Sequence, residues 1–63
     1  MNLFDNIKTI REEKNLKQIE VVAHIGVDKS AYSKIEMRAR AVTVDELQRL
    51  AGIFNMTTDE ILN

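Results

Sequence analysis

The chain has no cysteine, no proline and no tryptophan, and only two glycines, two phenylalanines and one tyrosine in 63 residues. Without cysteine there is no disulfide framework and no thiolate chemistry, so the cytoplasm is the expected address. The single histidine, His24, has no second histidine or cysteine with which to make a metal site, so no metal or other cofactor is expected. Ser30 and Ser33 are the only serines, and no histidine base or oxyanion device is arranged with them. No apolar run approaches membrane-spanning length, and the start MNLFDNIK lacks the apolar core of a signal peptide. What these gaps leave is a surface that binds, with no catalysis, no small-molecule substrate and no membrane in the expectation.

Sixty-three residues (1–63) are expected to form one domain, near the lower limit for a core that folds alone. Composition is ordinary for a soluble protein, with 44% hydrophobic and 30% charged residues. The net charge of −1 argues mildly against nucleic acid, but the charge is polarised along the chain. Residues 1–16 balance to zero, residues 17–40 carry +2 and residues 41–63 carry −3. A field divided in this way can orient a protein on a phosphate backbone despite an acidic total.

Five helices are legible, giving an all-α fold. The first runs from about Leu3 to Lys14, with Leu3, Phe4, Ile7 and Ile10 at helical spacing, and Asn15 follows as a residue that tolerates the left-handed turn past a helix end. The second spans about Gln18 to Ile25 and is stopped by Gly26. The third opens after the N-cap Asp28 and runs to about Met37. The fourth starts at Thr43, with Glu46 completing a capping box, and ends near Phe54 before Asn55. The fifth repeats the device with Thr57 and Glu60, then Ile61 and Leu62. The acids Asp45, Glu46, Asp59 and Glu60 serve helix N-terminal electrostatics. Gly52 is expected on the solvent side of the fourth helix and His24 on the outward flank of the second.

Residues 18–36, QIEVVAHIGVDKSAYSKIE, are therefore two short amphipathic helices joined at one glycine, a helix-turn-helix. At 100° per residue Ala31, Tyr32 and Ile35 share one side of the third helix and must pack on Val21, Val22 and Ile25. Lys29, Ser30, Ser33 and Met37 share the other, with Lys34 on its flank. That outward side is rich in donors for base edges and phosphates, although in an isolated helix it would be no more than a solvated face. Tyr32 is expected in the core with its hydroxyl at the outward edge. Arg11 falls inside the first helix's apolar stripe, where a charge is costly unless paired, and Glu36 is its expected partner.

The motifs IKTIREEKNLKQIEVVAHIGV, SAYSKIE and VDELQRLAGIFNMTTDEIL resemble the lambda-repressor-like helix-turn-helix family, the Xre-type transcriptional regulators, from about Phe4 to Leu62. The resemblance implies a compact five-helix DNA-binding domain. It implies a backbone contact for Gln18, base contacts for Lys29, Ser30 and Ser33, and a base or phosphate contact for Lys34. Arg38 and Arg40 match positions that touch phosphate, and Arg11–Glu36 matches a buried salt bridge. The chain departs from the family pattern at Arg38, usually glycine, at Val42, usually proline, at Val22, usually small, and at Lys17, usually serine or threonine. Lys17 offers a phosphate contact of its own.

The expected function is sequence-specific binding of double-stranded DNA by a transcriptional regulator, a repressor acting by steric exclusion. An antitoxin using the same fold and a protein-interaction module that has lost DNA binding are the rivals, the second supported by the acidic pI of about 5.7. One short recognition helix reads too few base pairs to choose a genomic site, so a homodimer is expected through Ile53, Met56, Ile61 and Leu62.

Overall fold

Each helix begins where an oxygen can accept from an unpaired amide. A computed structural model describes residues 2–63. Helix α1 (Leu3–Glu13) opens on Asn2, whose side chain accepts from the Asp5 amide at 3.0 Å. Helix α2 (Gln18–Ile25) opens on Lys17, a residue with no side-chain acceptor. Only the reciprocal half of a capping box forms there, the Lys17 amide donating to Glu20 Oε1 at 2.8 Å. Helix α3 (Lys29–Glu36) is capped by Asp28, which accepts from the Ala31 amide at 2.7 Å. Helices α4 (Val44–Phe54) and α5 (Thr58–Leu62) carry complete boxes, Thr43 with Glu46 and Thr57 with Glu60. Relative to the sequence expectation α1 and α3 each stop a residue earlier, with Lys14 and Met37 as caps.

The helix ends share a second device. Asn15, Gly26, Arg38 and Asn55 adopt φ of +57°, +77°, +63° and +56°, the left-handed conformation that frees the next amides to reach back to the last turn. After α3 the Arg38 amide donates to the Ile35 carbonyl and the Ala39 amide to that of Lys34, at 3.1 and 2.8 Å. Arg38, where the family resemblance leads one to expect glycine, thus adopts the left-handed conformation that glycine takes readily. A non-glycine residue held there costs on the order of 1 kcal/mol, and its exposed ion pair with Asp5 returns about 0–1 kcal/mol. Arg38→Gly is therefore expected to shift stability by less than about 1 kcal/mol, because glycine's freedom in the unfolded chain offsets the relieved strain. Thermal denaturation checks this, and a larger loss would show that the Arg38 side chain matters more than its backbone.

Glycine is favoured at position 26 on two counts. Its φ is left-handed, and a Cβ there would lie 3.1 Å from Nη1 of Arg49. That same nitrogen donates to the Ile25 carbonyl at 3.1 Å, so an α4 side chain closes the end of α2. Gly52 is exposed, as expected, and a Cβ there would come within 3.4 Å of His24 Nε2.

Among the described residues the core is Ile7, Val21, Val22, Ile25, Tyr32, Ile35, Leu50, Ala51, Phe54 and Ile61. Helix α2 lies between α3 and α4, while α1 packs on α3 and α5. The apolar side of α3 meets α2 as the pattern requires, through Tyr32 and Ile35, with Ala31 only half-buried. One expectation fails. Ile61 is 0% exposed, and the carbonyl of that residue accepts from Asn6 Nδ2 at 2.9 Å. Ile61 closes the core beneath α1 and is not available to a second protomer. Of the other three residues, Ile53 and Met56 are half-buried against the core and Leu62 is 50% exposed.

Candidate nucleic-acid interface

Seating Tyr32 and Ile35 in the core turns the opposite side of α3 outward. Lys29, Ser30 and Lys34 are exposed, Ser33 is half-buried, and Met37 at the helix end is 74% exposed. The N-terminus of α2 lies alongside, with Lys17 exposed and Gln18 half-buried.

Gln18 is not free. Its Nε2 donates to Glu36 Oε1 at 3.0 Å and its Oε1 accepts from Ser33 Oγ at 3.3 Å. Glu36 in turn receives both branches of the Arg11 guanidinium, Nε at 2.6 Å and Nη2 at 3.0 Å, while Arg11 Nη1 donates to the Leu16 carbonyl at 2.8 Å. With side chains 12% and 3% exposed, Arg11 and Glu36 are a buried, forked ion pair tying α1 to α3. Burial alone would push the Glu36 carboxyl up, but the hydrogen bonds from Arg11 and Gln18 hold it below the usual carboxylate range. The same bond to Glu36 raises Arg11.

Tyr32 corrects a detail of the sequence expectation. Its hydroxyl does not reach the outward edge, because the whole side chain is 0% exposed. The oxygen sits near enough to the Glu36 charge to feel it, yet it has no partner at hydrogen-bonding distance and angle. Burial, followed by the Glu36 carboxylate, pushes the phenol far above its usual range. An orphaned buried hydroxyl costs about 1–3 kcal/mol. Tyr32→Phe should therefore leave the melting temperature unchanged or raise it. The sign for pH follows from the raised value: the folded state keeps its proton longer than the unfolded one, so stability is full below pH 10.0 and falls above it in the parent. The phenylalanine variant should lack that loss, and a melting temperature clearly below the parent's would mean that the hydroxyl has a working partner in Glu36.

The positive charge is divided differently from the sequence expectation. All four arginines of the chain have carboxylate partners: Arg11 with Glu36, Arg38 with Asp5, Arg40 with Glu46 and Arg49 with Asp45. The Arg40 pair is forked, 3.1 and 2.8 Å, and holds the 37–42 loop against the start of α4. Its hydrogen bond lowers Glu46, the same carboxylate that completes the Thr43 capping box. Among the described residues no lysine is in an ion pair. The cations open to phosphate around α2 and α3 are Lys17, Lys29 and Lys34. Glu36 is the expected partner of Arg11, and Asp45 lies one helical turn before Arg49, whereas the Arg38 and Arg40 partners are set by the fold.

Two short helices meeting at a left-handed glycine, the second with a polar outward face, define a helix-turn-helix domain. The sequence matches the helix-turn-helix family over residues 7–61. The chain belongs to this lambda-repressor-like, Xre-type family of DNA-binding transcription regulators. No curated protein matches the sequence significantly. Among solved structures, the chain is similar to PrgX in a crystal structure of the PrgX/cCF10 complex, with 34% identity and a TM-score of 0.88. That match covers 97% of this chain but spans 20% of PrgX. The P22 c2 repressor, crystallised with synthetic operator 9T in the presence of Tl+, superposes with a TM-score of 0.87 at 19% identity, over 100% of this chain and 96% of its own, and shares the fold. Among the described residues no helix is long and apolar enough to cross a membrane.

Proposed function

We propose that residues 1–63 act as one domain that binds double-stranded DNA sequence-specifically in the cytoplasm and represses transcription by occupying an operator. The observation that carries this is the outward face of α3, where Lys29, Ser30 and Lys34 are exposed on a helix whose opposite side is locked in the core. In this scheme α3 enters the major groove. Lys29, Ser30 and Ser33 meet base edges, Lys34 a base or phosphate, and Lys17 and Gln18 the backbone flanking α2. Arg38 and Arg40 contribute to phosphate binding only through N–H groups not used by Asp5 and Glu46. The P22 c2 repressor, similar in fold, binds an operator in its own crystal structure, and that lends the scheme support.

A homodimer completes the proposal, placing two recognition helices about 34 Å apart on successive major grooves. Leu62, with the exposed parts of Ile53 and Met56, is the surface offered for it. Selection from a random DNA pool followed by salt-dependent gel shifts tests the function, with an inverted repeat as the expected product. Failure to enrich any sequence at any salt concentration refutes DNA recognition. One protomer bound per site on ultracentrifugation, on DNA without an inverted repeat, refutes the dimer.

One observation favours a second reading, a protein-interaction module. With every arginine neutralised in the chain, the free positive charge is modest. The same gel shifts discriminate, since such a module would bind DNA weakly and without sequence preference.

A further inference from the structure

We propose that the buried Arg11–Glu36 pair fixes the hydrogen-bond polarity of the edge where α2 meets α3, so that Ser33 can only accept and reads an exocyclic amino group of adenine or cytosine. The proposal rests on the DNA-binding function above and adds a base preference to it.

The polarity originates in the ion pair. Glu36 holds both arms of Arg11 and is an ionised carboxylate, which accepts and never donates. Its Oε1 also faces the Gln18 amide at 3.0 Å. A carbonyl oxygen turned toward that carboxylate would be repelled, so the Gln18 amide has one permitted orientation, with NH2 toward Glu36. Gln18 Oε1 is then left facing Ser33 Oγ at 3.3 Å. An amide oxygen carries no proton, so Ser33 supplies the hydrogen of that bond.

An isolated serine hydroxyl reads base edges poorly because it rotates to donate or accept as required. Here its proton is committed inward, and what remains for the groove is lone-pair density. In the major groove the donors are N6 of adenine and N4 of cytosine; O6, N7 and O4 are acceptors. Lys29, one helical turn away on the same face, has the opposite restriction, since an ammonium group only donates. The reading face is thus split into a donor-only position at Lys29, an acceptor-only position at Ser33 and an unrestricted hydroxyl at Ser30.

The test starts from binding sites selected separately by the parent protein and by Ser33→Ala. The base pair whose preference changes is the one Ser33 reads. At that pair the adenine is replaced by purine lacking its 6-amino group, or the cytosine by 2-pyrimidinone, and in a separate duplex the purine is replaced by its 7-deaza analogue. Removing the amino group should weaken the parent about tenfold and leave Ser33→Ala unaffected, whereas the 7-deaza change should act equally on both. Gln18→Leu, which releases the Ser33 proton, should flatten the preference at that pair while also lowering affinity for all sequences. Coupling of Ser33 to N7, or no pair responding to Ser33→Ala, overturns the inference while leaving DNA recognition intact. A parent protein that selects no sequence overturns both.

Discussion

Glu36→Ala is expected to cost about 3–5 kcal/mol, enough to unfold much of the population of so small a domain at ordinary temperature. Among the described residues Glu36 is the only carboxylate paired with Arg11, and Arg11 lies in the stripe of α1 that faces the core. Removing the acid leaves a buried guanidinium with one carbonyl, that of Leu16, and strips Gln18 of the group that orients it. Arg11→Met together with Glu36→Leu should recover most of the loss, since an apolar pair of similar volume carries no desolvation cost. Acid should mimic the single substitution. Because Glu36 is held below its ordinary value of 4.5, its contribution is complete above that pH and lost as pH falls through the folded-state value. Glu46 is lowered too, chiefly by Arg40, so it adds in the same direction. Chemical denaturation of the three proteins across pH checks the set. If Glu36→Ala unfolds at the parent's denaturant concentration, the pair contributes nothing to stability and does not hold Gln18 and Ser33 in one orientation.

Replacing Lys17, Lys29 and Lys34 together by alanine is expected to remove most DNA affinity at physiological salt without disturbing the fold. Each lysine that neutralises a phosphate contributes about 0.9 to the slope of log affinity against log salt, and a true base contact is worth about 1–3 kcal/mol. None of the three side chains makes a hydrogen bond or ion pair among the described residues, so melting should move by no more than about 0.5 kcal/mol per site. Arg38→Ala and Arg40→Ala should show the converse, changing stability more than the salt slope, because their charges are already matched by Asp5 and Glu46. Gel shifts over a salt series, with melts of the same samples, separate the two classes. A steeper loss from the arginines than from the lysines would mean that both pairs open on DNA.

Apart from the Arg11–Glu36 pair, betrayed by a charge inside an apolar stripe, what is legible in the sequence is what is decided within one helical turn. Asp28, Thr43 and Thr57 cap the helices assigned to them because capping involves residues three apart, and Gly26 marks its turn because few residues adopt that backbone. Arg38 adopts it as well, but arginine carries no such signal, so the turn was legible only as a departure from a pattern. The charge map was harder. Arg38 and Asp5 are 33 positions apart, so no local spacing relates them. The +2 assigned to residues 17–40 counted two arginines whose charge the folded chain uses itself. Ile61 was misplaced because a helix of five residues, Thr58–Leu62, is too short for periodicity to identify its buried side. Gln18 stands out in the sequence at the start of α2, but its commitment to Glu36 and Ser33 emerges only when three helices are brought together.

The Arg49 bond to the Ile25 carbonyl has a mechanical consequence. The bond fastens α4 to the last residue of α2, on the near side of the Gly26 turn that leads into α3. A shift at the α4–α5 end of the molecule would therefore move α2 first and reach α3 through the packing of α2 on α3. In a two-fold assembly the separation of the recognition helices would then act as a ruler set by the protomer contact, so that small changes there alter which half-site spacing is tolerated before they alter which bases are read.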